Sequence, residues 1–170
     1  MRGDDVNVAV GIVVGSKSDL PYAEEAIAVL RQLGIGFELR ILSAHRTPGP
    51  LEAWIDDAEG RGVEVFITMA GHAAALPGVV AARTVRPVIG VPLPTSDLSG
   101  QDALHAIVQM PPGIPVATMA IGKPGARNAG WFAAAVLGLG DGTVRDAVVE
   151  GRRRMSESVL NDDREAQAIA

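Results

Sequence analysis

The feature that most constrains this chain is the run Val6–Val14, Val-Asn-Val-Ala-Val-Gly-Ile-Val-Val, which is rich in β-branched residues and almost wholly apolar. A strand with one wet face alternates; this run does not, and so predicts a parallel strand covered on both sides. It stops at Gly15-Ser16-Lys17-Ser18-Asp19-Leu20-Pro21, after which Ala23, Ala26, Ile27, Leu30 and Leu33 recur at helical spacing until Gly34 ends the helix. The pattern then repeats. Strands are predicted over 37–42, 63–69, 88–91 and 116–121, with helices over 48–59 and near 103–108. Strand and helix alternating across short links imply an α/β fold in three layers, a central parallel sheet between helices, with right-handed crossovers.

Two further helices carry the C-terminal part. Residues 125–139 contain Trp131, Phe132 and five alanines and are apolar on nearly all sides, so this helix is expected to be buried against a partner subunit. The last helix, about 143–160, has a narrow stripe of Val144, Val148, Met155 and Val159 among many charges, and is expected to pack on a neighbouring subunit. Residues 161–170 are polar and expected to fray. With no repeat or linker, the 170 residues read as one domain, 1–170, with its core at about 6–140.

Composition removes several classes of function. There is no cysteine, which excludes disulfides, thiolate catalysis and Cys-ligated metals. A net charge of −5 without a basic cluster argues against nucleic acid as partner, since Arg152-Arg153-Arg154 stands among Glu150 and Glu157 and reads as a solvated helix face. No apolar run approaches membrane-spanning length, and Met1-Arg2-Gly3-Asp4-Asp5 lacks a signal-peptide core. A cytoplasmic protein with no membrane partner is expected. The apolar fraction is 48% but aromatics are 4%, and the small side chains suit close packing in a homo-oligomer.

In doubly wound sheets, ligands bind beyond the carboxyl ends of the strands near the switch point. Three segments fall there. Gly15–Asp19 offers Ser16 and Ser18 as donors to a phosphate and Asp19 as acceptor for a ribose hydroxyl, although Ser18 or Asp19 also suits a helix N-cap. Leu42-Ser43-Ala44-His45-Arg46-Thr47-Pro48 places a hydroxyl, an imidazole suited to proton transfer near neutral pH and a guanidinium side by side. Ala70-Gly71-His72-Ala73-Ala74-Ala75-Leu76-Pro77-Gly78 is stripped of bulk except at His72, so a ligand can approach its backbone. No Gly-x-Gly-x-x-Gly or P-loop is present, which argues against an intact dinucleotide or a nucleoside triphosphate. His45, His72 and His105 lack metal-ligand spacing, so no metal is expected.

Taken together, Gly15-Ser16-Lys17-Ser18-Asp19, Ser43-Ala44-His45-Arg46-Thr47-Pro48, Leu76-Pro77-Gly78, Leu98-Ser99-Gly100, Ile107-Val108-Gln109-Met110-Pro111 and Gly113-Ile114-Pro115-Val116 resemble the PurE family of purine biosynthesis over about residues 8–160. The resemblance implies a flavodoxin-like sandwich, assembled as an octamer, that needs no metal, biotin or ATP. It implies that the bacterial class moves a carboxylate from the exocyclic nitrogen of 5-(carboxyamino)imidazole ribonucleotide to a ring carbon, whereas the animal-type class carboxylates aminoimidazole ribonucleotide with CO2. On that pattern His45 is the general acid/base. Ser16, Ser18, Ser43 and Arg46 hold the phosphate, Asp19 holds the ribose, and Ala70, Gly71, His72 and Leu76 border the CO2 pocket.

The third segment departs from the pattern. The bacterial class reads Gly-Gly-Ala-Ala-His-Leu-Pro-Gly there, where this chain has His72 for the second glycine and Ala75 for the histidine; the animal-type Arg-Ser-Asn is absent as well. The later motifs favour the bacterial class, so a mutase is expected. Direct carboxylation is the nearest alternative, and a non-catalytic ribonucleotide binder the alternative from another class. Keeping His45 beside Arg46 argues against a mere binder. A signalling receiver would want an acidic cluster after strand one and an Asp after strand three, and has neither.

Overall fold

The computed structural model describes residues 8–169. Met1–Asn7, with the first two residues of the expected first strand and the segment read for a signal peptide, and Ala170 lie outside the described residues. Strands β1 (Val8–Val14), β2 (Gly36–Ile41), β3 (Val65–Ala70), β4 (Val88–Pro92) and β5 (Ala117–Thr118) form one parallel sheet in the order β2-β1-β3-β4-β5. This flavodoxin-like order reverses direction between β1 and β3. The helices are α1 (Leu20–Gln32), α2 (Pro48–Gly60), α3 (Ala75–Arg83), α4 (Gln101–Val108), α5 (Lys123–Leu137) and α6 (Gly142–Gln167).

The alternation of side chains along each strand divides the core in two. Val10, Ile12 and Val14 of β1, with Val65, Ile67 and Met69 of β3, pack with α1 and α5. Val13 and Phe66 face the other way, onto Leu51, Trp54 and Ile55 of α2 and onto residues of α3 and α4. Trp54 meets Phe66 edge-on, with ring centroids 5.5 Å apart and planes at 82°. Gly11 makes room for the pair, since a Cβ there would lie 3.0 Å from the Phe66 ring. The indole Nε1 donates to Glu38 Oε1 at 2.9 Å, so the polar end of Trp54 is satisfied at the edge of the core.

The small-residue face of α5 is buried against α1 of the same chain: a Cβ on Gly130 would lie 2.9 Å from Val29 Cβ and 3.0 Å from the Ala26 carbonyl oxygen. Two expectations from the sequence change. Helix α6 runs through the segment expected to fray, as far as Gln167. Side-chain pairs one turn apart line that stretch, Arg164 Nη1 to Asn161 Oδ1 at 3.0 Å and Gln167 Nε2 to Asp163 Oδ2 at 2.8 Å. Helix α3 has no counterpart in the sequence reading, because Pro77 and Gly78 disguise it. Pro77 sits in the first turn, where its missing N–H breaks no helical bond.

The exposed face of α6 carries the basic run. Arg153 and Arg154 both donate to Glu150, at 2.8 and 2.9 Å, and hold its carboxyl down to about 2. Among the described residues no helix is long and apolar enough to cross a membrane.

Candidate active site

The loops after β1, β2 and β3 meet at the switch point around a cavity of about 690 Å³, a size suited to a small-molecule ligand. The cavity is lined by all ten residues singled out from the sequence: Ser16, Ser18, Asp19, Ser43, His45, Arg46, Ala70, Gly71, His72 and Leu76. Thr95, from the β4–α4 connection, also lines it and was missed. Its only sequence signal was membership of a polar stretch.

After β1 the chain makes one 3₁₀ turn, Lys17–Asp19, before α1. Ser16 Oγ accepts from the Ser18 hydroxyl at 3.0 Å and faces the Ser18 amide at 3.4 Å. Accepting twice, Ser16 keeps its own proton for an outside acceptor. Asp19 is 7% exposed. Burial pushes its carboxyl above the usual carboxylate range, although the Ser18 hydroxyl, backbone amides at Ser16 and Gly15, and the Arg46 guanidinium all pull the other way. As N-cap of α1 it makes no side-chain capping bond, so the capping reading does not account for this carboxyl.

After β2 the turn is tied at both ends by Thr47. Its Oγ1 accepts from the Ser43 amide at 2.8 Å and donates to the Ser43 carbonyl at 3.2 Å, and its amide donates to that carbonyl at 2.9 Å. Ser43 Oγ accepts from the Arg46 amide at 3.2 Å and from Arg46 Nε at 3.4 Å. Arg46 Nη2 crosses to the first loop and donates to the Gly15 carbonyl at 2.8 Å. A guanidinium has five N–H donors, so these contacts fix its plane and leave donors for an anion. His45, between Ala44 and Arg46, is held at the cavity by a turn that is bonded on both sides and is itself exposed.

After β3 the wall is nearly bare: Ala70, Gly71, Ala73, Ala74 and Ala75 line it with little side-chain bulk. Gly71 packs on the β4–α4 connection, and a Cβ there would run into Thr95 Oγ1 and lie 3.3 Å from the Leu93 carbonyl oxygen. His72 and Ala74 take positive φ, 53° and 40°, and Ala74 precedes α3. The first amides of that helix have no intrahelical partner and give the bare wall a positive edge. Among the described residues no group of three or more His, Asp or Glu side chains is placed to hold a metal ion.

The cavity thus combines a guanidinium with donors left free, a buried carboxyl group, an exposed imidazole and an apolar wall. Comparisons with known proteins give the family. The family model described as AIR carboxylase matches residues 9–158. The chain is 47% identical over 157 residues to the N5-carboxyaminoimidazole ribonucleotide mutase of Pseudomonas aeruginosa, covering 92% of this chain and 96% of the relative. It is 48% identical over 160 residues to the protein of that name from Thermotoga maritima, covering 94% and 92%. The crystal structure of Treponema denticola PurE superposes with a TM-score of 0.83 at 29% identity, covering 92% of this chain and 96% of that one. The chain belongs to the AIR carboxylase family, to which the PurE proteins belong.

Proposed function

We propose that this protein is a mutase of purine biosynthesis, converting 5-(carboxyamino)imidazole ribonucleotide to 4-carboxy-5-aminoimidazole ribonucleotide in this cavity. The observation that carries the reading is the shared turn of His45 and Arg46, tied to Gly15 and Ser43 so that a proton carrier and an anion clamp occupy fixed neighbouring places. Relatives at 46–50% identity bearing the mutase name support it.

In the reaction, Arg46, Ser16, Ser18 and Ser43 hold the ribonucleotide phosphate, and Asp19 accepts from a ribose hydroxyl. The C–N bond to the carboxylate breaks, its electron pair stays on nitrogen, and His45 protonates that nitrogen. CO2 rests against the bare wall of Ala70, Gly71, His72 and Leu76. The electron-rich ring carbon attacks it, and His45 takes the proton which that carbon sheds. The proton count closes without a cofactor. Most of the acceleration comes from keeping CO2 beside the ring in a water-poor pocket and from one well-placed acid/base.

The protein works in the cytoplasm as a single-domain subunit of a homo-oligomer, an octamer, with α6 on a neighbouring subunit. Exposed Val149, Met155, Val159 and Leu160 on α6, each at least 47% accessible, support that packing. The test of function is turnover of 5-(carboxyamino)imidazole ribonucleotide in bicarbonate-free buffer. Product formation is expected; activity only with aminoimidazole ribonucleotide plus bicarbonate makes it a direct carboxylase, and silence with both overturns the enzymatic reading.

A further inference from the structure

Thr95 stands at the end of the cavity farthest from the loop that carries Arg46. The loops after β2, β1, β3 and β4 line the cavity in sheet order, so the strands bearing these two residues are three spacings apart, about 14 Å. Thr95 is also firmly placed. The chain leading to it continues the β3–β4 ladder, with the Leu93 amide donating to the Ala70 carbonyl at 2.9 Å, and the Pro92 carbonyl accepts from the Gly122 amide at 2.9 Å. Gly100, φ 85°, closes the loop against its own start: a Cβ there would lie 3.2 Å from Pro94 Cα and 2.8 Å from Ile121 Cγ2. Thr95 Oγ1 is thereby set over Gly71, in the space that a Cβ on Gly71 would take.

This hydroxyl keeps lone pairs that its neighbours have already spent. A hydroxyl oxygen accepts two hydrogen bonds, and Ser16 Oγ and Ser43 Oγ each accept two within their own loops. Along the bare wall the Ala70 carbonyl is taken by Leu93 and the Gly71 carbonyl by the Ala74 amide at 3.0 Å. In the Thr95 loop, Ser96 Oγ accepts from the Leu98 amide at 3.2 Å and the Ser96 carbonyl from the Ser99 amide at 3.1 Å, while no hydrogen bond among the described residues uses Thr95 Oγ1. Apart from exposed His72, Thr95 is the only residue that lines the β3–β4 side of the cavity with a polar side chain. We propose that Thr95 is a specificity-determining contact whose Oγ1 accepts a hydrogen bond from the exocyclic nitrogen of the ligand's aminoimidazole ring. With the phosphate at Arg46, the ring is the end of the ligand that reaches β4. Its exocyclic nitrogen carries a hydrogen both with and without the carboxylate, so one acceptor serves substrate and product and steadies the nitrogen as the carboxylate leaves. The proposal rests on the cavity being the ribonucleotide site proposed above.

The test is calorimetric binding of aminoimidazole ribonucleotide, and of imidazole ribonucleotide, which lacks only the amine, to the wild type, Thr95→Val and Thr95→Ser. Thr95→Val keeps the shape and removes the hydroxyl. It is expected to weaken the amine-bearing ligand about fivefold, the worth of one neutral hydrogen bond, while imidazole ribonucleotide stays within about twofold. Thr95→Ser, which keeps the hydroxyl, should bind both ligands within about twofold of the wild type. Thr95→Ala decides the matter if Thr95→Val does not fold. Equal losses on both ligands, no loss, or a serine variant as weak as the valine one overturn the contact while leaving the cavity's assignment intact. A wild type that binds neither ribonucleotide overturns the assignment and the contact with it.

Discussion

Arg46 Nη2 donates a 2.8 Å hydrogen bond to the carbonyl oxygen of Gly15, joining the loop after β2 to the loop after β1 at the switch point of the sheet. The same side chain reaches Ser43 Oγ through Nε at 3.4 Å. Holding the fork from two sides orients it before any ligand arrives, which lowers the ordering cost of binding an anion. Arg46→Ala is therefore expected to weaken a phosphorylated ligand by about 2 kcal/mol or more in a calorimetric titration. Arg46→Lys should recover only part of that, because a single ammonium cannot span both contacts and the phosphate. Unchanged affinity in the alanine variant removes Arg46 from the clamp.

His45→Asn separates proton transfer from binding. Turnover should fall to background while ribonucleotide affinity stays within about tenfold, since the clamp residues are untouched. Near wild-type turnover would show that another group moves the proton.

Asp19 supplies a pH signature. Its carboxyl is raised by burial, so the native state binds a proton more readily than the unfolded chain does. Native stability from this group is fully present below the unfolded carboxylate pKa and is lost as pH rises through the higher folded value. Asp19→Asn removes that loss. Its Tm should exceed the wild type's at neutral pH, and the advantage should shrink as the buffer is taken down through the carboxylate range, while ribonucleotide binding weakens. A constant difference across that range would assign the effect to something other than ionisation.

Gly71 tests the bare wall. A Cβ would collide with Thr95 Oγ1 and press on the Leu93 carbonyl, so the loop must move. Gly71→Ala should lower kcat/KM by more than its loss of Tm suggests, and Thr95→Ala in the same chain should restore part of it. Thermal melts and initial rates on the two variants decide this. Full activity in Gly71→Ala would show that the wall tolerates displacement.

The parts of this molecule that were legible in the sequence are those whose chemistry is local. Val10–Val14 could be read as a doubly covered strand because nothing polar interrupts it, and His45 and Arg46 because they sit side by side after a strand. Helix α3 escaped because Pro77 and Gly78 imitate a loop, and Thr95 because β4 and its crossover separate it from Gly71 by more than twenty residues before the fold returns it. The packing of α5 on α1 was not legible either, since a small-residue face announces close approach without saying to what.

The most direct measurement follows the carboxyl group itself. 5-(Carboxyamino)imidazole ribonucleotide labelled with ¹³C in the carboxylate is turned over in buffer containing unlabelled bicarbonate, and the label in the ring-carboxylated product is counted by mass spectrometry. Retention of the label in most product molecules is expected on the proposed route, in which the CO2 released from nitrogen stays against the Ala70–Leu76 wall until the ring carbon captures it. Product carrying the unlabelled carbon of the buffer would contradict the mutase reading and make the protein a carboxylase that draws its CO2 from solution.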